Sequence, residues 1–193
     1  MTLGNLQDLY VDELKDLYNA EHQILKALPK MAKAATAPQL KDALNHHLEE
    51  TQKQVERLNQ IFQDLGKSPR GKKCVGMEGI IQEGSELLKE KGEPSVKDAG
   101  LISAAQRVEH YEMAAYGTVR TYAQILGYDN QASALQETLN EEGEADHKLT
   151  QIAEGSINSK AQAEEGNAEQ EDMDAGMEDE SNVSKSSEGM YSR

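Results

Sequence analysis

Long apolar runs, paired cysteines and an excess of basic residues are all missing from this sequence of 193 residues. No stretch approaches the roughly 18 consecutive apolar residues of a membrane-spanning helix, and the first residues, MTLGNLQDLY, lack the charged-then-apolar pattern of a signal peptide. A cytoplasmic protein is therefore expected. The single cysteine, Cys74, excludes an intramolecular disulfide framework, and we interpret it as a structural residue.

The shortage of positive charge excludes other classes of function. The formal charge is −15, with 35 acidic and 20 basic residues, which argues against binding to nucleic acid or anionic membranes through a basic patch. Residues 157–193 contain ten of the acids but three Lys or Arg, and few apolar side chains to offset the entropy of ordering. We expect one folded domain over residues 1–157 and a disordered acidic tail over residues 158–193.

No segment alternates apolar and polar residues with the period of two that half-buried strands require. Apolar residues recur at helical spacing instead, which predicts an all-α fold. Long helices are predicted over residues 4–35, 38–66, 95–127 and 135–155, with a shorter helix over residues 77–88. Ser95 and Asp98 have the spacing of a capping box at the start of the third long helix. Two hairpins on either side of a longer connection indicate a four-helix bundle with a crossover.

Acidic side chains lie on the helix faces where apolar residues are expected. At about 100° per residue, the apolar stripe of the first helix is centred near Glu21, and Glu112 lies within the stripe of the third long helix. Burial of an ionised carboxylate is costly unless it is paired, protonated or bound to a metal, and no inward Lys or Arg accompanies these acids. The inward residues, all candidate metal ligands, are Glu21, His47, Glu50, Glu109, Glu112, Glu142 and Asp146.

The spacing of these acids predicts a site with two metal ions. Glu21 and Glu50 are 29 residues apart, and Glu112 and Glu142 are 30 apart, so each hairpin brings two acids to a similar height. Carboxylates with one imidazole suit iron or manganese, whereas closed zinc sites prefer cysteine and histidine. We expect two ions about 3.5 to 4 Å apart, bridged by glutamates.

With these residues the chain resembles the ferritin-like superfamily, in which facing helices of a four-helix bundle supply Glu and His to a di-iron or di-manganese centre. It is most similar to the YciE/YciF-type family of bacterial stress-associated ferritin-like proteins. The resemblance covers about residues 6–156 and rests on the stretches DLYNAEHQILKALPKMAKAA, HHLEET, CVGMEG, AAQRVEHYEMAAYGT and LNEEGEADHKLT.

This resemblance implies a cytoplasmic, commonly dimeric protein that uses the seven candidate ligands named above. Their order departs from the usual Glu-x-x-His of the superfamily. The second long helix reads His-x-x-Glu, the third Glu-x-x-Glu and the fourth Glu-x-x-x-Asp. With one histidine rather than two, the site is more anionic, which favours a higher oxidation state of the metal.

Three functions are compatible with such a site. The first is a stress protein that oxidises iron with oxygen or peroxide, with Glu50 and Glu142 as bridging ligands. The second is a manganese site that dismutates peroxide. The third is a non-enzymatic interaction protein in which the metal only stabilises the bundle and the acidic tail recruits a partner. A storage cage is disfavoured, because nothing in the sequence indicates a shell interface.

Overall fold

A computed structural model describes residues 3–163, and the regular structure in this part of the chain is entirely helical. The helices are α1 (Leu6–Ala34), α2 (Pro38–Asp64), α3 (Val75–Lys89), α4 (Pro94–Ile125) and α5 (Asp129–Ile152). After a π-helical turn, Ala153–Ile157, the chain stays helical to residue 163. The all-α prediction is confirmed. The rest of the predicted tail, residues 164–193, lies outside the described residues.

The four long helices form the predicted bundle. α1 packs against α2 in one hairpin and α4 against α5 in the other, and contacts of α1 with α4 and of α2 with α5 close the bundle. The short helix α3 lies in the connection between the hairpins, where it packs against α1 and α4. The predicted ferritin-like arrangement, with an extra helix in the crossover, is confirmed. None of the helices within residues 3–163 is long and apolar enough to cross a membrane.

The start of α4 differs from the prediction. Its N-cap is Glu93, without a side-chain cap bond, so the predicted capping box of Ser95 and Asp98 is wrong. A proline takes the first helical position, where its missing N–H removes one unpaired donor. The Asp98 carboxylate instead accepts hydrogen bonds from Thr36 N (2.9 Å), Thr36 Oγ1 (2.6 Å) and Ala37 N (2.7 Å). Asp98 thereby holds the α1–α2 turn against α4.

Cys74 joins the start of α3 to α1. Its thiol accepts a hydrogen bond from Met77 N (3.4 Å) and caps α3. Its N–H donates to Asn19 Oδ1 (2.8 Å) and its carbonyl accepts from Gln23 Nε2 (2.9 Å). The side chain is fully buried, and this burial raises the pKa of the thiol. In this environment Cys74 packs and caps, and its thiol is kept protonated.

The core of the bundle is divided into two apolar clusters. One includes Leu28, Leu101 and Leu149, toward the α1–α2 turn. The other includes Leu14 and Phe62, toward the α4–α5 turn. Between them lies a set of buried polar residues, here called the polar layer: Glu21, His47, Thr51, Gln54, Glu109, Glu112, Thr138 and Glu142.

Candidate metal centre

The polar layer arises because its charged residues keep the spacing of the apolar stripes. On α1, Glu21 lies one turn from the buried residues Leu17 and Ile24. On α4, Glu109 and Glu112 are three positions apart, and both lie among the buried residues of the helix. The helical periodicity that builds the apolar clusters therefore also carries acids into the middle of the bundle.

Four side chains from three helices meet at the centre of the layer. His47 of α2, Glu109 and Glu112 of α4, and Glu142 of α5 each offer a ligand atom, and these atoms all lie within 4.8 Å of one another. The Nε2 atom of His47 is 3.3 Å from Glu109 Oε2 and 3.7 Å from Glu142 Oε2. The four residues are at most 4 % exposed. This arrangement has the composition and dimensions of a metal-binding group.

Most donor atoms of this group have no hydrogen-bond partner in the described part of the chain. Within residues 3–163, no hydrogen bond satisfies either ring nitrogen of His47 or either carboxylate oxygen of Glu112. The same holds for one oxygen each of Glu109 and Glu142. Buried polar atoms are nearly always hydrogen-bonded, and those that are not need an explanation, such as a bound ion. The donor set therefore fits a cation.

Glu21 adjoins the group from α1. One of its oxygens accepts a hydrogen bond from the Tyr116 hydroxyl, and the other, also buried, has no hydrogen-bond partner within residues 3–163. Burial raises the pKa of Glu21 to about 7, although Tyr116 opposes the rise. With Glu21, all four long helices contribute a titratable side chain to the layer.

The carboxylates of the layer hinder one another's ionisation. Burial raises the pKa of Glu112 well above its usual range, and the charges of Glu142 and Glu21 raise it further. Burial and the nearby Glu109 have the same effect on the pKa of Glu142. Without a metal, the layer retains protons to limit its negative charge. A metal ion bound by these carboxylates would displace these protons.

The negative charge of the layer favours the charged form of His47, whereas it opposes ionisation of the glutamates. Burial by itself lowers the pKa of an imidazole, but the negative charges of Glu109, Glu21 and Glu50 outweigh it and raise the pKa of His47 to about 9. In the absence of metal, His47 is therefore protonated and pairs with the carboxylates. A cation bound at this site would favour the neutral form of His47, which is the form that ligates metals.

Polar residues outside the group orient Glu142 and shield it from water. The Gln54 amide donates to Glu142 Oε1 and, at 3.1 Å, to Glu141 Oε2. Arg57 pairs with Glu141 at 2.6 Å and with Glu137 at 2.6 Å. These contacts join α2 to α5 beside the centre and fix the direction of the Glu142 carboxylate.

Besides Glu21, two further predicted ligands, Glu50 and Asp146, lie outside the four-residue group. The Glu50 side chain is 17 % exposed, with Oε2 3.6 Å from His47 Nδ1 and 3.2 Å from His46 Nδ1. It borders the centre and also contacts an exposed histidine. The Asp146 side chain is 23 % exposed, accepts a hydrogen bond from Gln106 (3.0 Å) and lies 3.2 Å from His110 Nε2. Asp146 thus joins α5 to the outer face of α4.

A cavity of about 560 Å³ leads to the centre between α2 and α5. Glu109 and His47 line its inner part, together with Glu50. Asp42, Glu144 and Lys148 also line it and are exposed, so with Glu50 the approach carries a net negative charge. The buried centre therefore has a route to solvent that attracts cations.

Residues 5–162 match the family described as a domain of unknown function, DUF892. The chain belongs to this family. It is 43 % identical over 163 residues to protein YciF of Escherichia coli strain K12, which covers 84 % of this chain and 98 % of YciF. All four helices that supply the polar layer lie within the matched range.

Solved structures share the fold. The crystal structure of the E. coli stress protein YciF superposes with a TM-score of 0.78, at 43 % identity, and covers 80 % of this chain and 98 % of that chain. YcfI of Rhodopseudomonas palustris gives a TM-score of 0.75 at 46 % identity, and covers 77 % and 94 % of the two chains. A Xanthomonas campestris protein, at 20 % identity with a TM-score of 0.67, shares the fold alone; it covers 83 % of this chain and 99 % of its own.

Sequence reasoning missed the uncharged members of the layer. Gln54 and Thr51 are fully buried next to the centre, and Gln54 donates a hydrogen bond to Glu142. The signal for Gln54 is its position seven residues after His47, on the same face of α2. Polar residues without charge are easily overlooked because they fit both a buried and an exposed face.

Proposed function

We propose that the polar layer binds two divalent metal ions and that the protein oxidises Fe²⁺ as part of a stress response. The supporting observation is the set of buried ligand atoms without hydrogen-bond partners on four helices. In the described part of the chain, the ion-pair contacts of Glu109 and Glu142 are with His47. A layer of this composition needs positive charge from outside the protein.

The balance of charge supports two ions rather than one. The layer holds four carboxylates, those of Glu21, Glu109, Glu112 and Glu142. Two divalent cations neutralise four carboxylates once His47 has lost its proton, whereas one ion leaves two buried charges unpaired. His47, Glu109, Glu112 and Glu142 would hold the first ion, and Glu21 and Glu50, which border this group, would complete the second.

Oxygen-rich ligands with one imidazole favour iron or manganese. In the proposed reaction Fe²⁺ is the substrate, and it gives one electron to an oxidant. The carboxylates favour Fe³⁺ over Fe²⁺ because their negative charge stabilises the higher positive charge more strongly. Tyr116 and Gln54 hold Glu21 and Glu142 in place by hydrogen bonds, and the surrounding apolar clusters exclude water.

The role in stress is proposed from the relative. The E. coli protein is described as a stress protein, and its similarity extends over the whole bundle. Free Fe²⁺ and peroxide damage cells together, so a protein that removes Fe²⁺ fits that description.

The first experiment is metal analysis of the purified chain after loading with Fe²⁺ or Mn²⁺ and desalting. We expect about two ions per chain in the parent and a clear loss in a Glu112→Gln, Glu142→Gln double variant. A Glu49→Gln, Glu56→Gln variant removes the same charge from exposed positions of α2 and should keep its metal. Absence of metal from the parent would contradict the proposal.

Oxygen and peroxide consumption then separate turnover from a structural role. The centre joins α2, α4 and α5 and is almost closed to solvent, which also suits a metal that only stabilises the bundle. In that case metal raises the melting temperature, and Fe²⁺ oxidation stays at the rate of the double variant. Oxidation well above that rate supports the enzymatic function.

A further inference from the structure

A second pocket, of about 210 Å³, lies beneath α3 and is bounded by α1, α3 and α4. Its walls are mainly apolar and include Ile24, Leu28, Ile81, Ala105 and Val108. Protein interiors are normally close-packed, and an engineered apolar cavity of about 150 Å³ is sufficient to bind benzene or xenon. The pocket is therefore large enough for a small molecule.

The pocket reaches the candidate metal centre at Glu109. Glu109 is the one carboxylate among the described residues that line the pocket, and it also lines the cavity between α2 and α5. It is 2 % exposed, and its Oε2 atom has no hydrogen-bond partner within residues 3–163. Two separate openings thus lead to the same buried carboxylate.

The two openings differ in charge. Asp42, Glu50 and Glu144 line the cavity between α2 and α5 and outnumber its one lysine, Lys148, so it attracts cations. Exposed Lys26 and Lys30 lie at the edge of the pocket beneath α3, so cations are repelled there. The apolar walls also exclude ions of either sign because they offer nothing to replace their hydration. An uncharged apolar molecule meets no such barrier.

We propose that the pocket beneath α3 binds a small uncharged apolar molecule, between dioxygen and benzene in size, next to Glu109. Its delivery of dioxygen to the metal centre rests on the proposed function. In that reaction two Fe²⁺ each lose one electron, and one dioxygen takes up the two electrons and two protons. The products are two Fe³⁺ and one hydrogen peroxide. Metal ions and apolar oxidant thus approach Glu109 through different openings.

Xenon tests the pocket without any metal. Under xenon pressure, the methyl resonances of Ile24, Ile81 and Val108 in the metal-free chain should shift, while those of Leu135 in the other apolar cluster should not. Benzene should compete with xenon for the same site. No selective shift in the parent would overturn the proposal, and this measurement needs no variant.

Matched substitutions locate the effect. Ala27→Leu fills the pocket beneath α3, and Ala43→Leu places the same side chain in the cavity between α2 and α5. The xenon shifts should be lost in Ala27→Leu and kept in Ala43→Leu, with circular dichroism and melting temperature as checks on folding. Equal loss in both variants would contradict a specific site. If Ala27→Leu does not fold, the xenon-induced shifts in the parent chain alone decide whether the pocket binds an apolar molecule.

The oxidant is tested separately. In Ala27→Leu the rate of Fe²⁺ oxidation by dioxygen should fall several-fold, whereas oxidation by hydrogen peroxide, a polar molecule, should be unchanged. Equal slowing with both oxidants would overturn delivery through this pocket. If the parent binds xenon but does not oxidise iron, the proposed function fails while the apolar site stands.

Discussion

The α1–α2 hairpin and the α4–α5 hairpin carry acids at matching heights but bury them differently. In the second hairpin, Glu109, Glu112 and Glu142 are at most 2 % exposed. In the first, Glu21 is fully buried, while the Glu50 side chain is 17 % exposed and His47 takes the buried position. The centre is therefore asymmetric, with three carboxylates from one hairpin and one carboxylate and one imidazole from the other.

This asymmetry shows that the position of a residue along the bundle axis does not determine which way its side chain points around the helix. The buried residues of α2 beside the centre are His47, Thr51 and Gln54. Glu50 points about 60° away from His47 around the helix, toward the cavity and His46. Residues at the same position along the bundle axis become equivalent ligands only if both also lie on the buried face of their helix.

The largest expected difference between the hairpins is in metal binding. Glu142→Gln removes a buried charge at the centre and should abolish binding of at least one ion. Glu50→Gln acts on the partly exposed ligand of the proposed second ion and should lower the affinity for that ion by about 10-fold to 100-fold. Metal content after desalting and competition with a chelator measure both effects. Equal losses in the two variants would show that the hairpins contribute symmetrically.

The next difference concerns the turns that close the hairpins. Asp98 of α4 accepts three hydrogen bonds from the α1–α2 turn. Asp98→Ala should therefore lower the free energy of unfolding by about 3 kcal/mol, measured with urea on the metal-free chain. Asp129 is exposed in the first turn of α5 and acts mainly on the helix dipole, so Asp129→Ala should cost less than about 1 kcal/mol. A similar cost for both would contradict the special role of Asp98.

The smallest effect is on the pH dependence of stability. Burial raises the pKa of Glu21 from 4.5 to about 7 in the folded chain, so the folded state holds this proton more tightly than the unfolded state. The resulting stability is complete below pH 4.5 and is lost as the pH rises through about 7. Glu112 and Glu142 shift in the same direction. The melting temperature of the metal-free chain should fall by a few degrees over this range.

Single variants separate the contributions to this pH dependence. Glu142→Gln should flatten the fall in melting temperature, because it removes a group with a raised pKa. Glu50→Gln should not flatten it, because His47 and His46 outweigh the effect of burial and lower the pKa of Glu50. Bound metal should remove the fall, since ions replace protons. Identical pH profiles for the two variants would contradict this account.

Helical periodicity was sufficient to predict the helices and the burial of most of the charged layer. Glu21, Glu112 and Glu142 lie on apolar stripes, so their spacing alone places them in the core. The capping box at Ser95 was wrong because a local motif competes with tertiary contacts, and Asp98 bonds to the neighbouring turn instead. Asp146 lies on the outer face of the hairpin because Gln106 and His110 offer it partners there.

The pockets could not be predicted from the sequence. The pocket beneath α3 depends on how closely α3 approaches α4, which involves contacts between residues distant in the chain. A Cβ atom added at Gly100 would lie 2.8 Å from the Leu87 side chain, so the glycine permits this approach. Such contacts leave no periodic signal in either helix.

The polar layer also determines how the bundle unfolds. The two apolar clusters contain segments of all four long helices, so neither is a separate domain, but the layer lies between them. When its charges are balanced, the layer couples the clusters, and the two ends of the bundle melt together. When the layer is charged and empty, mutual repulsion weakens this coupling, and one end can open before the other. We therefore expect a cation bound in the layer to increase the cooperativity of unfolding.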